Sequence, residues 1–262
     1  RKKEDRNEII AFKDSFHGRT LATLTATGQD KYQEGFAPLP AGFHYAQFND
    51  LPSVGSLVND NTCAIMVEPV QGEGGITPAD QNFLIGLRRI CDREGILLIF
   101  DEVQCGMGRS GKVFAYQTYG VFPDIVTMAK GLGGGIPIGA MLANEKAASG
   151  FAPGDHASTF GGNPLVTAVA NQVIDIITGE GFLEQVTRTG DYLVQSLKGI
   201  KDSRIIEVRG RGLMLGIEFD RDIKELVNIC MQKGLLVLGA GNRVLRMVPP
   251  LTINETEVNQ AV

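Results

Sequence analysis

No apolar run in this chain approaches the roughly 18 consecutive residues that a membrane-spanning helix needs. No secretory leader pattern opens it either; it begins at Arg1, not at Met, and the basic start Arg1, Lys2, Lys3 is diluted by Glu4 and Asp5, which predicts a solvated helix end or loop. Cysteine is scarce. Cys63, Cys91, Cys105 and Cys230 form no CxxC pair, and Cys63 and Cys91 fall in apolar strand and helix patterns where buried free thiols are expected. That pattern fits a reducing cytoplasm. The three histidines, His17, His44 and His156, lack metal-ligand spacing among themselves, so no metal site is expected. No GxSxG elbow is present, which leaves an α/β-hydrolase without support. Basic residues are not in excess: 25 Lys and Arg stand against 30 Asp and Glu, a net charge of -5, which argues against a nucleic-acid surface. Internal repeats and low-complexity tracts are absent.

What the chain does have is alternation. Its 262 residues can bury one large domain, or one domain with a smaller companion. Residues 8–12, 63–67, 96–100, 124–129 and 139–143 read as strands, mostly apolar without period-2 alternation, and residues 20–27 are helix-like. Residues 81–94 have helical spacing, with Phe83, Leu84, Leu87, Ile90 and Cys91 on one face and Gly95 as a stop. Apolar strands interleaved with helices predict an α/β fold, a mostly parallel sheet covered by helices on both faces. Ligands gather at the carboxyl ends of such strands, which is where Glu68, Asp101 and Lys130 fall. Two long helices are predicted over 164–177 and 182–200. Beyond them the pattern becomes strands at 205–208, 213–219, 235–238 and 244–248 around a helix at 223–232. This predicts a large domain over 1–178 and a smaller α+β domain over 179–262. Asn254 and Glu257 form a capping box that opens a helix a few residues before Val262; a helix so short is marginal alone, and both ends are expected to be truncated.

Two glycine-rich signals mislead. Gly106 to Lys112 matches GxxxxGK, but Val113 stands where a Ser or Thr would hold magnesium. The preceding strand ends in Asp101-Glu102 like a Walker B strand, and one strand end cannot serve both roles, so nucleotide hydrolysis is not expected. Gly131 to Gly135 lacks a full GxGxxG because position 136 is Ile.

Asp101 and Lys130 together suit a different chemistry. Pyridoxal phosphate needs a lysine for its Schiff base and a carboxylate that keeps its pyridine nitrogen protonated. Taken singly, a strand-end Asp is usually a cap and most lysines lie on the surface. A lysine that follows the apolar run Ile125 to Ala129 is drawn inward, where desolvation lowers its pKa and favours an amine acting as nucleophile and base.

Five segments occur in the order of one family: SFHGRTLATL at 15–24, EPVQGEGG at 68–75, FDEVQCGMGR at 100–109, AKGLGGGIPIG at 129–139 and STFGGNPL at 158–165. With them the chain resembles the class III (subgroup II) pyridoxal-phosphate aminotransferases over nearly its whole length. The resemblance implies a type I pyridoxal-phosphate fold with Lys130 as the Schiff-base lysine and proton shuttle, Asp101 on the pyridinium and Gln104 on the cofactor's phenolic oxygen. It implies Val103 and Phe16 on the two ring faces, although plain core packing explains both equally well. Thr159 is similar to the residue that reaches the phosphate in a neighbouring subunit's site, which implies an obligate homodimer; local turn bonds before the helix at Pro164 are the bland alternative for Ser158 and Thr159. On the substrate side, Arg246 resembles the arginine that grips the α-carboxylate of glutamate and 2-oxoglutarate, Glu73 its intermittent partner, and Arg19 the arginine for the carboxylate of the amino donor, with Ser158 nearby. Away from the motifs, the arginines and Glu73 would be read as surface ion pairs. Residues 23–32, 35–40 and 209–218 are closer in texture to members acting on N-acetylornithine than to those acting on ornithine or 4-aminobutyrate. The expected reaction is transfer of the δ-amine of N-acetylornithine to 2-oxoglutarate, with another ω-aminotransferase, or a non-catalytic fragment keeping only the dimer surface, as alternatives. An N-terminal part carrying a glycine-containing phosphate loop is expected to lie outside this sequence.

Overall fold

The computed structural model describes residues 5–262, so the reading of Arg1, Lys2, Lys3 and Glu4 lies outside the described residues. Twelve strands, numbered in chain order, build three sheets among those residues. The central sheet holds β1 (Glu8–Phe12), β2 (Phe43–Ala46), β3 (Thr62–Val67), β6 (Leu97–Asp101), β7 (Ile125–Met128) and β8 (Ala140–Ala143), in the order β2-β1-β3-β6-β7-β8. Its pairings are parallel from β2 through β7, and β8 runs antiparallel at the edge. The connector from Met128 to Ala140 holds only the 3-10 turn Lys130–Gly133, less than the helical crossover that a parallel return requires.

The inner strands are apolar because both faces are covered; the strand expected at 139–143 departs from this, since β8 lies at the sheet edge with all four residues exposed. β3 buries five of its six side chains, and Phe12, Ile65, Leu98 and Phe100 have no exposed surface. The Gln81–Glu94 helix lays Phe83, Leu84, Leu87 and Cys91 onto this core and ends at Gly95, whose φ of 70° closes the last turn. At the opposite end from the predicted site, Asp124 ties the sheet together. Its carboxylate accepts hydrogen bonds from the Leu98 amide (2.8 Å), Arg88 (2.9 Å) and the Asn144 amide group (2.7 Å), joining β6 to the β8 edge. Burial pushes this carboxyl's pKa up, but those donors outweigh it and hold it below the usual carboxylate range.

The second sheet is antiparallel throughout: β9 (Ile205–Arg211), β10 (Met214–Phe219), β11 (Leu238–Ala240) and β12 (Val244–Met247), in the order β11-β12-β10-β9. It packs with the Phe182–Gly199, Lys224–Gln232 and Glu255–Ala261 helices around its own core, including Leu193, Leu213, Leu215 and Val258. The strand expected at 235–238 starts later, at Leu238, because Leu238, Gly239 and Ala240 are the residues paired to β12. The capping box expected at Asn254 and Glu257 is present in both directions, at 3.1 and 2.9 Å.

Two arginines stitch the sheets' lobes together. Arg109, in the loop after β6, donates to the Leu213 carbonyl at 3.1 Å, and its own carbonyl accepts from the Leu213 amide at 3.0 Å. Burial brings the Arg109 pKa down to about 10. Arg209 of β9 donates to the Gly75 carbonyl at 3.0 and 2.9 Å, and so fixes the loop between the short strands β4 (Val70–Gln71) and β5 (Thr77–Pro78). No helix among the described residues is long and apolar enough to cross a membrane.

Candidate active site

The carboxyl ends of β3, β6 and β7 bring Glu68, Asp101 and Lys130 to one end of the central sheet. Asp101 pairs in register with Thr127, so the Asp101 carboxylate and the chain turning at Lys130 sit on neighbouring strands. Asp101 is 5 % exposed. One of its oxygens accepts from the Val103 amide at 3.0 Å, and the other lies 2.7 Å from Nδ1 of His17.

His17 escaped the sequence reading, which tested the histidines only for metal-ligand spacing. The signal available was its place beside Phe16 in the first of the five motifs. Its backbone amide is held by the Thr27 hydroxyl at 2.9 Å, and its side chain is fully buried. Burial works against a proton on this imidazole. The hydrogen bond and charge of Asp101, with a further contribution from the charge of Glu68, win and raise its pKa. Nε2 of His17 is buried without a hydrogen-bond partner among the described residues.

Glu68 is buried as well, at 3 % exposure. Its carboxyl accepts from the Phe16 amide at 3.2 Å and lies 3.5 Å from the Gly72 amide, so it links the Phe16 segment to the turn that carries Glu73. Burial raises its pKa to about 8, a shift that the nearby His17 moderates and Asp101 reinforces. A carboxyl raised in this way stabilises the fold fully below its unfolded pKa near 4.5 and loses that contribution as pH rises toward 8. Glu68→Gln removes the ionisation. Its melting temperature relative to the unsubstituted protein is therefore expected to rise by at least about 4 °C between pH 5 and pH 9. Thermal melts across that range check this, and a difference that stays flat with pH refutes it.

Lys130 opens the 3-10 turn with a backbone φ of 44°, a left-handed conformation that a long side chain adopts only when its surroundings impose it. The residue is exposed and not drawn inward as expected, yet the partial desolvation of its amine lowers its pKa, opposed in part by Asp101, Glu73 and Glu68. It lines a cavity of about 320 Å³ together with Val103, Gln104, Met107, Val173 and Leu251.

Across the site Arg246 of β12 donates to Glu73 at 2.6 Å, and Gln104 donates to the same carboxylate oxygen at 3.3 Å. The pair is not a surface ion pair, since the side chains of Arg246 and Glu73 are only 10 % and 22 % exposed. Burial pushes the Glu73 carboxyl up, but Arg246 and Gln104 outweigh it and lower its pKa. The close approach depends on Gly72: a Cβ there would lie 2.2 Å from the Gln104 side-chain oxygen.

The remaining predicted residues divide. Phe16 is half-buried and meets the Tyr32 ring edge-on at 5.2 Å. Arg19 is exposed, its guanidinium 5.8 Å from the centre of Phe16 and 5.2 Å from that of Tyr32. Ser158 and Thr159 are exposed in the loop before the Pro164–Ile177 helix. The Ser158 hydroxyl accepts from the Gly161 amide at 3.1 Å, the local turn bond, and neither residue hydrogen-bonds to another member of the set among the described residues. The Gly106 to Lys112 stretch is a succession of turns, without the helix that a P-loop feeds.

A buried carboxylate held by a hydrogen-bonded histidine suits a ring nitrogen that must stay protonated. A strained lysine of lowered pKa beside it suits attack on a carbonyl and proton transfer. Both requirements are those of pyridoxal phosphate, and the residues present fit it. The family model described as "Aminotransferase class-III" matches residues 1–262. An acetylornithine aminotransferase of Streptococcus mutans is 50 % identical, with 100 % of this chain and 70 % of that protein aligned. One from Caldanaerobacter subterraneus is 51 % identical over 98 % of this chain and 66 % of its own length. A succinylornithine transaminase of Yersinia pseudotuberculosis is 48 % identical over 98 % and 64 %. Among solved structures, ornithine aminotransferase from Toxoplasma gondii, described with partial occupancy of PLP at its active site, superposes with a TM-score of 0.92 at 32 % identity, covering 98 % of this chain and 63 % of that one. The chain thus spans about two thirds of the length of the relatives it matches. By its motifs, its sheet and its matched length, the chain belongs to the class III aminotransferases, whose cofactor is pyridoxal phosphate.

Proposed function

We propose that the whole protein transfers the δ-amine of N-acetylornithine to 2-oxoglutarate, giving N-acetylglutamate semialdehyde and glutamate in arginine biosynthesis, in the cytoplasm. The observation that carries this reading is the placing of Lys130 and Asp101 under one closed arginine–glutamate pair, Arg246–Glu73. Pyridoxal phosphate, when bound, supplies an aldehyde to take up the amino group and a ring that accepts electrons. Asp101, steadied by His17 and the Val103 amide, holds a proton at the ring nitrogen. Nζ of Lys130, its pKa lowered by partial desolvation, would hold the cofactor and act as the base that takes the proton from the amine-bearing carbon of the donor. Gln104 would bond the phenolic oxygen of the bound cofactor, and Val103 and Phe16 would pack against its ring.

Arg246 grips the α-carboxylate of 2-oxoglutarate once Glu73 releases it, and Glu73 masks it again while the amino donor is bound. Arg19, without an ion-pair partner among the described residues, takes the donor's carboxylate, with Ser158 beside it. Thr159 contributes to the phosphate site of a second copy in a homodimer. Support for that assembly comes from the apolar side chains left exposed around β8 and the loop after it, among them Met141, Leu142, Phe151, Phe160 and Leu165. Within the same proposal, residues 179–262 form the smaller domain that presents Arg246 to the cofactor domain.

The Yersinia relative favours a second reading in which N-succinylornithine is the donor. Turnover of the full-length, cofactor-loaded enzyme on N-acetylornithine, N-succinylornithine, ornithine, succinyldiaminopimelate and 4-aminobutyrate decides between them. An N-acylornithine is expected to lead the others by about 10-fold or more in kcat/KM. A preference for 4-aminobutyrate sinks the assignment, and a folded dimer with no cofactor absorbance favours a non-catalytic role.

A further inference from the structure

We infer that Tyr32 is a positioning residue for the amino donor: with Phe16 it forms an aromatic corner that fixes the Arg19 guanidinium and so selects donors carrying a carboxylate remote from the transferred amine. The inference rests on the substrate reading above and assigns a role to a residue that reading does not use.

The Tyr32 ring centre lies 5.2 Å from the Arg19 guanidinium carbon and 5.2 Å from the Phe16 ring, which stands at 76° to it. Arg19 is also 5.8 Å from the Phe16 ring centre. A guanidinium within about 6 Å of two aromatic rings is attracted by both quadrupoles, and this is the contact that orders an otherwise exposed side chain. Its charge is not consumed. Arg19 has no ion-pair partner among the described residues, and Lys31, whose Nζ is 4.8 Å from the same ring centre, adds a second unpaired cation. The corner is therefore an ordered positive site open to an anion. An arginine held by a carboxylate would have been ordered but neutralised; rings order it and leave the charge for the ligand.

The platform is itself fixed. Tyr32 lies in the short helical turn Asp30–Gln33, and the glutamines flanking it tie that turn down. Gln29 donates to the Asp14 and Ser15 carbonyls at 3.1 and 3.0 Å, directly before Phe16. Gln33 donates to the Thr27 carbonyl at 2.8 Å and to the Tyr45 hydroxyl at 3.0 Å. Ring, Phe16 segment and Arg19 thus move together or not at all. No hydrogen bond of the Tyr32 hydroxyl is needed for this, so the ring carries the function.

The test compares Tyr32→Leu and Tyr32→Phe in the full-length, cofactor-loaded enzyme. Tyr32→Leu is expected to raise KM for N-acetylornithine about 5- to 10-fold, with kcat and the KM for 2-oxoglutarate within about twofold of the parent. Tyr32→Phe keeps the ring and is expected to match the parent. Calorimetric binding of N-acetylnorvaline, the donor skeleton without its reactive amine, is expected to weaken by the same factor in Tyr32→Leu. In an Arg19→Gln background the Tyr32→Leu change is expected to add nothing. Additive effects of the two substitutions, or equal losses on both substrates, overturn the inference and make Tyr32 a purely structural residue. A parent enzyme that turns over only amines lacking that carboxylate overturns the substrate reading first, and this is seen before any variant is measured.

Discussion

Lys130→Ala is expected to lose transamination by at least about 10⁴-fold while the protein stays folded. On the proposed reading two functions are removed at once: the amine that engages the carbonyl and the base that moves the proton. Among the described residues no other lysine is placed to replace it, since the turn at Lys130 is the point where β7 feeds the sheet's carboxyl end beside Asp101. Folding should survive because the side chain makes no hydrogen bond or ion pair among the described residues. A φ of 44° costs alanine about what it costs lysine. The measurement is reduction with borohydride after incubation with pyridoxal phosphate, followed by peptide mapping, with circular dichroism on both proteins. One labelled peptide at Lys130, absent from the variant, is the expected result. Scattered labelling of a folded full-length protein refutes the assignment. Small primary amines added to the variant are expected to restore part of the proton-transfer rate, because the cavity beside Lys130 is left larger and still lined by the same residues.

Asp101→Asn is the second large effect, about 10²- to 10³-fold in kcat, the usual loss when one preorganised charge is taken from a site. The amide preserves the volume and can still accept from the Val103 amide, so the loss isolates the charge. It has a consequence that can be read without the cofactor. Asp101 is the main reason the pKa of the buried His17 is raised, since burial alone acts in the other direction. Neutralising residue 101 should therefore move the His17 imidazole resonance to a lower titration point in nuclear magnetic resonance. The sign for stability follows from the same shift. A histidine with a raised folded pKa contributes stability that is complete below its unfolded value of 6.5 and disappears as pH rises through the folded value. Asp101→Asn is expected to remove that contribution and, with burial then prevailing, to reverse its sign. A His17 resonance that titrates identically in the two proteins refutes the coupling.

The sheet was readable in the sequence wherever burial was two-sided. β3, β6 and β7 are nearly uninterrupted apolar runs, and their ends announced Glu68, Asp101 and Lys130. β2 was not found, because FHYA lies at the sheet edge with only one of its four residues buried, and no pattern separates it from a loop. The direction of β8 was also illegible, since antiparallel pairing was decided by the shortness of the connector through Lys130, not by the strand's own residues. In the site, Asp101 and Lys130 followed from strand ends, whereas Arg246 and Glu73 came only through resemblance. Nothing local marks two residues as partners when the pairing is created by packing one sheet's lobe on the other's loop. His17 was missed for a related reason: its partner is Asp101, and only the parallel placing of β1 and β3 next to β6 brings the segment after β1 within reach.

The Glu73–Arg246 ion pair spans 173 residues of chain. On a ribosome adding about 5–20 residues per second, Glu73 emerges some 9 to 35 s before Arg246 exists to meet it. Lys130 and Asp101 are made within that interval. A nascent chain can therefore bring Asp101 and Lys130 together on neighbouring strands well before Arg246 exists to close the pair with Glu73. Loop Gly72–Ile76, which Arg209 later clamps through the Gly75 carbonyl, stays unrestrained from that side for most of the same period. β12, which carries Arg246, is thus made well after β3, β6 and β7, and the Glu73–Arg246 pair closes only once it has emerged.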